Sequence, residues 1–175
     1  MPSLGRLRRI VQEVNGTSSL DESLRLISDQ VKEVMSVDVC SIYLMDADSG
    51  DLVLMCTQGL DPAAVGSVRM PIGDGLVGKI AERQQVLSTS DAPQHPNFHY
   101  FPETHEEMFH AFLGVPIVHY RQVVGVLVVQ QQVTRQFDSE HEAFLVTVAA
   151  QLAGTLSHAI NSGKVSALLK GRKKA

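Results

Sequence analysis

A chain of 175 residues with 44% apolar and 19% charged residues is long enough for one domain with a sizeable core, and this composition excludes a disordered chain. Fifteen Lys and Arg against 19 Asp and Glu leave a net charge of −4, which argues against a dedicated nucleic-acid binder. No uninterrupted apolar run reaches the roughly 18 residues of a spanning helix and no signal peptide is visible, so a cytoplasmic protein without a membrane partner is expected.

The first element reads as a helix, with Leu4, Leu7, Val11 and Val14 at three- and four-residue steps forming a narrow apolar seam. "NGTSS" breaks it. Ser19 followed by Glu22 is a capping box, and Leu20, Leu24, Ile27, Val31 and Val34 make one face of a second helix. "VDVCSIYLMD" and "DLVLMCTQ" read as strands joined by the turn "ADSG". The two cysteines, Cys40 and Cys56, fall inside these apolar segments, which fits buried thiols in a reducing compartment.

Short extended pieces follow at "SVRM" and "QVLS", separated by a helical "DGLVGKIAERQ". The "GDGLVG" within it (Gly73, Gly75, Gly78) matches the dinucleotide fingerprint, with Asp91 at about the distance of a ribose-binding acid. Its context fails: "VRM" is too short, Pro71 ends it, and the flanking elements are hairpins rather than βαβ units. What survives is an anion-orienting helix start at Gly75, with Arg69 and Lys79 near it in sequence.

"HPNFHYFPETHEEMFHAF", residues 95–112, then carries four of the seven histidines and five of the nine Phe and Tyr residues. "FLGVPIVH" and "VVGVLVVQQQ" read as buried strands around the turn "YRQ", and a long helix opens at Asp138 or Ser139 with Glu142 as its capping partner. Leu145, Val148, Leu152, Leu156 and Ala159 repeat along one side of it. From Ala143 onward there is no Asp or Glu, and Lys164, Lys170, Arg172, Lys173 and Lys174 make the end basic. The fold class is therefore α+β, an antiparallel sheet with helices on one face.

The succession "VCSIYLMDADSGDLVLMCTQGL", "MPIGDGLVGKIAE", "FLGVPIVHYRQVVGVLVVQQ" and a helix after "FDSEHEAF" resembles a GAF domain over about Leu20 to Ile160. "LRRIVQEVN", "HPNFHYFPETHEE" and "GVLVVQQ" more closely resemble the amino-terminal sensory domains of nitrogen-branch Enzyme I proteins, which are phosphoenolpyruvate-protein phosphotransferases. The resemblance implies a six-stranded antiparallel sheet with the terminal helices on one face and a ligand pocket under a loop on the other. It divides the chain into an amino-terminal helix and connector (1–18), a sensory domain (19–161) and a basic linker (162–175) to downstream domains acting in cis. It further implies a fragment without catalysis or cofactor of its own. The domain would bind a nitrogen-status effector, glutamine or 2-oxoglutarate in class, and control phosphotransfer from phosphoenolpyruvate.

Under that resemblance the aromatic loop becomes a flap over the ligand, with Phe98, Tyr100, Phe101, Phe109 and Phe112 as its apolar wall. The pocket floor is expected from Met55, Met70, Leu76, Val77, Val115 and Ile117, with Ser88 and Asp91 for polar orientation. Pro96 prevents the regular helix that would place His95 and His99 as zinc ligands, so no metal is expected. A homodimer is expected through Leu7, Val11, Leu152 and Leu156.

Three rival chemistries are tempting. "GTLSHAI" echoes the phosphoaccepting histidine of Enzyme I proteins at His158, but its glycine pair and arginine are missing. A cysteine-dependent reductase of free methionine sulfoxide would need an exposed thiolate. Cyclic-nucleotide GAF domains carry an Asn-Lys pair where this chain has Gln131 and Gln132. A GAF module of a transcriptional regulator is the remaining alternative.

Overall fold

The computed structural model describes residues 3–17, 19–99, 101–102 and 109–174. Two helices open it, α1 (Leu4–Asn15) and α2 (Leu20–Met35). Ser19 Oγ accepts the Glu22 backbone N–H at 3.2 Å, so the expected cap is formed. Strands β1 (Val39–Met45), β2 (Leu52–Gln58) and β3 (Arg69–Met70), helix α3 (Gly75–Arg83) and strand β4 (Leu87–Thr89) follow. The chain then runs through the aromatic loop into β5 (Ala111–His119), β6 (Gln122–Gln131), α4 (Ser139–Asn161) and α5 (Lys164–Lys174).

The six strands form one antiparallel sheet in the order β3-β2-β1-β6-β5-β4. Because side chains alternate across a strand, the sheet builds two cores. On one face, Cys40, Ile42, Leu44, Val53, Leu113, Leu127 and Val129 pack against α1, α2, α4 and α5. On the other, Tyr43, Leu52, Leu54, Phe112, Val126 and Val128 pack against α3 and the loops around it. The six-stranded sheet with terminal helices on one side is as expected.

Two terminal segments differ from the sequence reading. The buried stripe of α1 is Leu7, Ile10 and Val14, while Leu4, roughly 90° around the helix from the centre of that stripe, is 81% exposed. Residues 164–174, expected as part of a loose linker, form α5, and Val165 and Leu169 enter the helix-face core. An added Cβ on Gly66 would stand 3.1 Å from Arg172 Cδ, so α5 lies closely over the loop before β3. Helix α4, with 23 residues and mean hydropathy 1.5, is long and apolar enough to cross a membrane by length and composition. Its apolar side is occupied instead by the sheet and the neighbouring helices, through Leu145, Val148, Leu152 and Leu156.

Candidate functional site

The face opposite the terminal helices is covered by α3, the loop before it and the aromatic flap. Met70 from β3, Leu76 and Val77 from α3 and Phe112 from β5 meet there; Phe112, expected in the flap wall, stands on the sheet instead. Phe98 and Phe101 of the flap lie half-buried on the same cluster. Phe109 is buried a little apart, against Val39 and Leu60. Tyr100 and His105 lie outside the described residues.

Between the flap and the sheet the enclosed space is about 10 Å³, bounded by Tyr43, Met70, Phe98 and Phe101 among others. That is room for about one water. Among the described residues a metabolite fits there only by displacing the rings, so the pocket expected from sequence is an aromatic-packed seam. Two polar pairs lie outside that lining. Ser41 Oγ and Thr57 Oγ1 are 2.9 Å apart, on neighbouring strands. Asp91 Oδ1 lies 2.8 Å from His110 Nδ1, and the Ala92 N–H donates to the His110 carbonyl. These two contacts tie one end of the flap to the other.

Several expected lining residues point the other way. Ser88 lies directly opposite Leu113, and directly opposed residues share a face. Since Leu113 belongs to the helix-side core, Ser88 turns to that side, half-buried, where its hydroxyl accepts from Gln136 Nε2 at 3.4 Å. Leu87 and Thr89, opposite Gly114 and Phe112, are the residues of β4 on the flap side. Met55 shares the phase of Val53, and Val115 and Ile117 share that of Leu113; all three sit among the helix-side residues. A one-residue error in phase moves a whole strand to the wrong face. Gly114 was the available signal. An added Cβ there would stand 2.4 Å from Ile80 Cδ1 of α3, so the even-numbered residues of β5 face α3. Tyr43, Leu52, Leu54, Val126 and Val128 follow as flap-side residues that the sequence reading missed.

The anion-orienting trio does not assemble. Arg69 pairs with Val53 in register, turns to the helix side and donates to Asp46 Oδ2 at 3.0 Å. Lys79 Nζ is 3.4 Å from Glu82 Oε1. Gly75 adopts φ +66°, and an added Cβ would meet Met70 Sδ at 3.1 Å and His99 Cβ at 3.4 Å, so its side is already covered. Asp74, at the N-cap, adds a carboxylate where an anion would have to come.

The proposed dimer contacts are largely spent inside the domain. Leu7, Leu152 and Leu156 are buried in its own core, with Leu152 and Leu156 each 2% exposed, and Val11 is half-buried beside them. The thiols are equally committed. Cys40 is fully buried, and burial, reinforced by the nearby Cys56, pushes its pKa far up. Burial also raises Cys56, whose Sγ lies 3.3 Å from Ser28 Oγ. Neither is poised as a nucleophile. Among the described residues no three His, Cys, Asp or Glu side chains converge as a metal site. His95 Nδ1 accepts the Asn97 N–H, and the His99 ring packs 4.6 Å from that of Phe101.

The GAF domain family model matches residues 19–156. A phosphoenolpyruvate-dependent phosphotransferase system protein of Escherichia coli (strain K12) is 42% identical over 154 residues, 88% of this chain and 21% of its own length. The GAF domain of a phosphoenolpyruvate-protein phosphotransferase from Coxiella burnetii superposes with a TM-score of 0.86 at 41% identity, covering 92% of this chain and 96% of that one. The corresponding Acinetobacter GAF domain gives 0.82 at 44% identity, covering 89% and 93%. The chain thus spans about a fifth of the length of the curated relative it matches.

Proposed function

The chain belongs to the GAF domain family, and on that premise we propose that it is the metabolite-sensing regulatory domain of a nitrogen-branch phosphotransferase. The reading rests above all on its 42% identity, across most of the domain, to a phosphotransferase-system protein. In this reading a nitrogen-status metabolite, glutamine or 2-oxoglutarate in class, enters beneath the flap and takes the place of Phe98 and Phe101. Domains following α5 in the longer cytoplasmic protein then carry out phosphotransfer from phosphoenolpyruvate, and the sensor contributes no catalytic residue.

Coupling is limited by energetics. The ligand can bias the downstream domains only as far as it prefers one arrangement of the domain over another. A path is available: Met70, beneath the flap, neighbours Arg69, which is bonded to Asp46, and the loop before β3 supports α5. Self-association, if it accompanies sensing, uses the outer sides of α1 and α4, where Leu4 and Val146 are exposed.

The test is calorimetric titration of glutamine, glutamate and 2-oxoglutarate into the domain. Saturable binding that Phe101→Ala alters supports the reading. Absence of binding by all three removes it.

A further inference from the structure

The largest cavity described lies away from the flap, where the α1–α2 turn, the last turns of α4 and the first residue of α5 meet. We propose that this notch binds a small anionic metabolite through a carboxylate or phosphate group. The proposal is independent of the flap reading and goes beyond it.

The notch measures about 410 Å³, within the range of small-molecule sites, whereas the space beneath the flap is about 10 Å³. Its wall is set in place by hydrogen bonds. Thr17 Oγ1 donates to the Val14 carbonyl at 2.8 Å, Ser23 Oγ donates to that of Ser19 at 3.0 Å, and the two hydroxyls contact each other.

The other polar side chains along the notch are exposed and have no protein partner among the described residues. Asn15, Thr155, His158 and Lys164 line it, and none of these side chains makes a hydrogen bond or ion pair among the described residues. No carboxylate lines it. The adjoining first turn of α2 carries two acids outside the notch, Asp21, held by Arg25 at 3.1 Å, and Glu22, whose carboxylate has no ion pair among the described residues; the chain from Ala143 onward contains no acid. The amino-terminal turn of α2, capped at Ser19, adds the positive end of a 16-residue helix at the rim. An ammonium, an imidazole, an amide and a hydroxyl around a carboxylate-free notch match an oxyanion and disfavour a cation.

Position gives such a site a consequence. Gly163, with φ +80°, is the joint between α4 and α5, and Lys164 is the first residue beyond it. An anion held by Lys164 together with Asn15 and Thr155 would clamp that joint to the body of the domain, fixing the direction in which α5 leaves.

Amide-resolved NMR titration of the protein with inorganic phosphate and, separately, 2-oxoglutarate, at ionic strength held constant with chloride, tests the proposal. Saturable shifts at Asn15, Thr155 and Lys164 are expected in at least one arm, and the arm that responds identifies the phosphate or the carboxylate as the recognised group. Lys164→Ala should weaken that binding by about tenfold or more, the scale of a charge-assisted hydrogen bond, without moving the melting midpoint. Asn15→Ala should weaken it less. Shifts that fail to saturate in both arms, that chloride reproduces, or that persist unchanged in Lys164→Ala overturn the proposal.

Discussion

The backbone N–H of Gly73 donates to the carbonyl of Gly78 at 2.9 Å, turning the loop before α3 back along the first turn of the helix. An added Cβ on Gly78 would stand 2.7 Å from the Pro71 carbonyl oxygen, and that backbone cannot swing aside as a side chain would. The glycine spacing that imitates a phosphate loop is therefore a packing device. Gly78→Ala should destabilise the domain by about 1–3 kcal/mol in urea denaturation. Equal stability of the variant and the parent would show that the loop has room to move.

Asp46 makes stability depend on pH. Burial alone would raise its pKa, but hydrogen bonds from Arg69, the Asp48 backbone N–H and Ser49 outweigh burial and hold the carboxyl below the usual aspartate value. The folded state then binds this proton less readily than the unfolded chain. Its contribution is complete above the unfolded aspartate pKa and is lost as pH falls through the lower folded value. Asp46→Asn should lower stability at neutral pH and flatten the decline on acidification. Parallel pH profiles of variant and parent would exclude the coupling.

How the sheet was legible, and its faces were not, follows from what each signal depends on. Capping at Ser19 and hairpin turns are local, and both were readable without tertiary context. Which face a strand residue occupies depends on where α3 approaches, and only Gly114 recorded that approach. Ser88, Met55, Val115 and Ile117 were therefore expected on the flap face and lie on the helix face, while Met70, Leu76 and Val77 do lie on the flap face and Phe112, expected in the flap, stands on β5. The apolar seam of α4 was equally legible as apolar, but periodicity cannot say whether its partner is the chain's own sheet or a second copy. Helix α5 was hidden because its basic residues dominate the composition, while two apolar residues four apart, Val165 and Leu169, do the packing.

That packing is measurable. Leu169 is 5% exposed, so Leu169→Ala should cost about 2–3 kcal/mol, whereas Lys170→Ala, at an exposed neighbour, should change stability by less than about 0.5 kcal/mol. If both variants melt alike, α5 is not docked in solution.

The same reasoning separates core from interface on α4 and α1. Leu152→Asp places a charge in the helix-side core and should unfold the domain, whereas Leu4→Asp should leave it folded. Circular dichroism and sedimentation of both variants decide. A folded, monomeric Leu152→Asp protein would restore that leucine to an interface.

Burial of the thiols predicts slow chemistry. With Cys40 inaccessible and both pKa values raised, native protein should resist alkylation at neutral pH and react fully once denatured. Mass spectrometry after brief treatment with iodoacetamide reads this directly. Rapid native labelling of Cys40 would revive a thiol-based activity.

Ring displacement beneath the flap is the point on which metabolite sensing turns, and side-chain NMR of Phe98 and Phe101 during titration with glutamine and 2-oxoglutarate measures it most directly. The expected result is a saturable change at both rings and at Thr89 with one of the two compounds. Rings that remain packed against Met70 and Phe112 at saturating concentrations of both would contradict it.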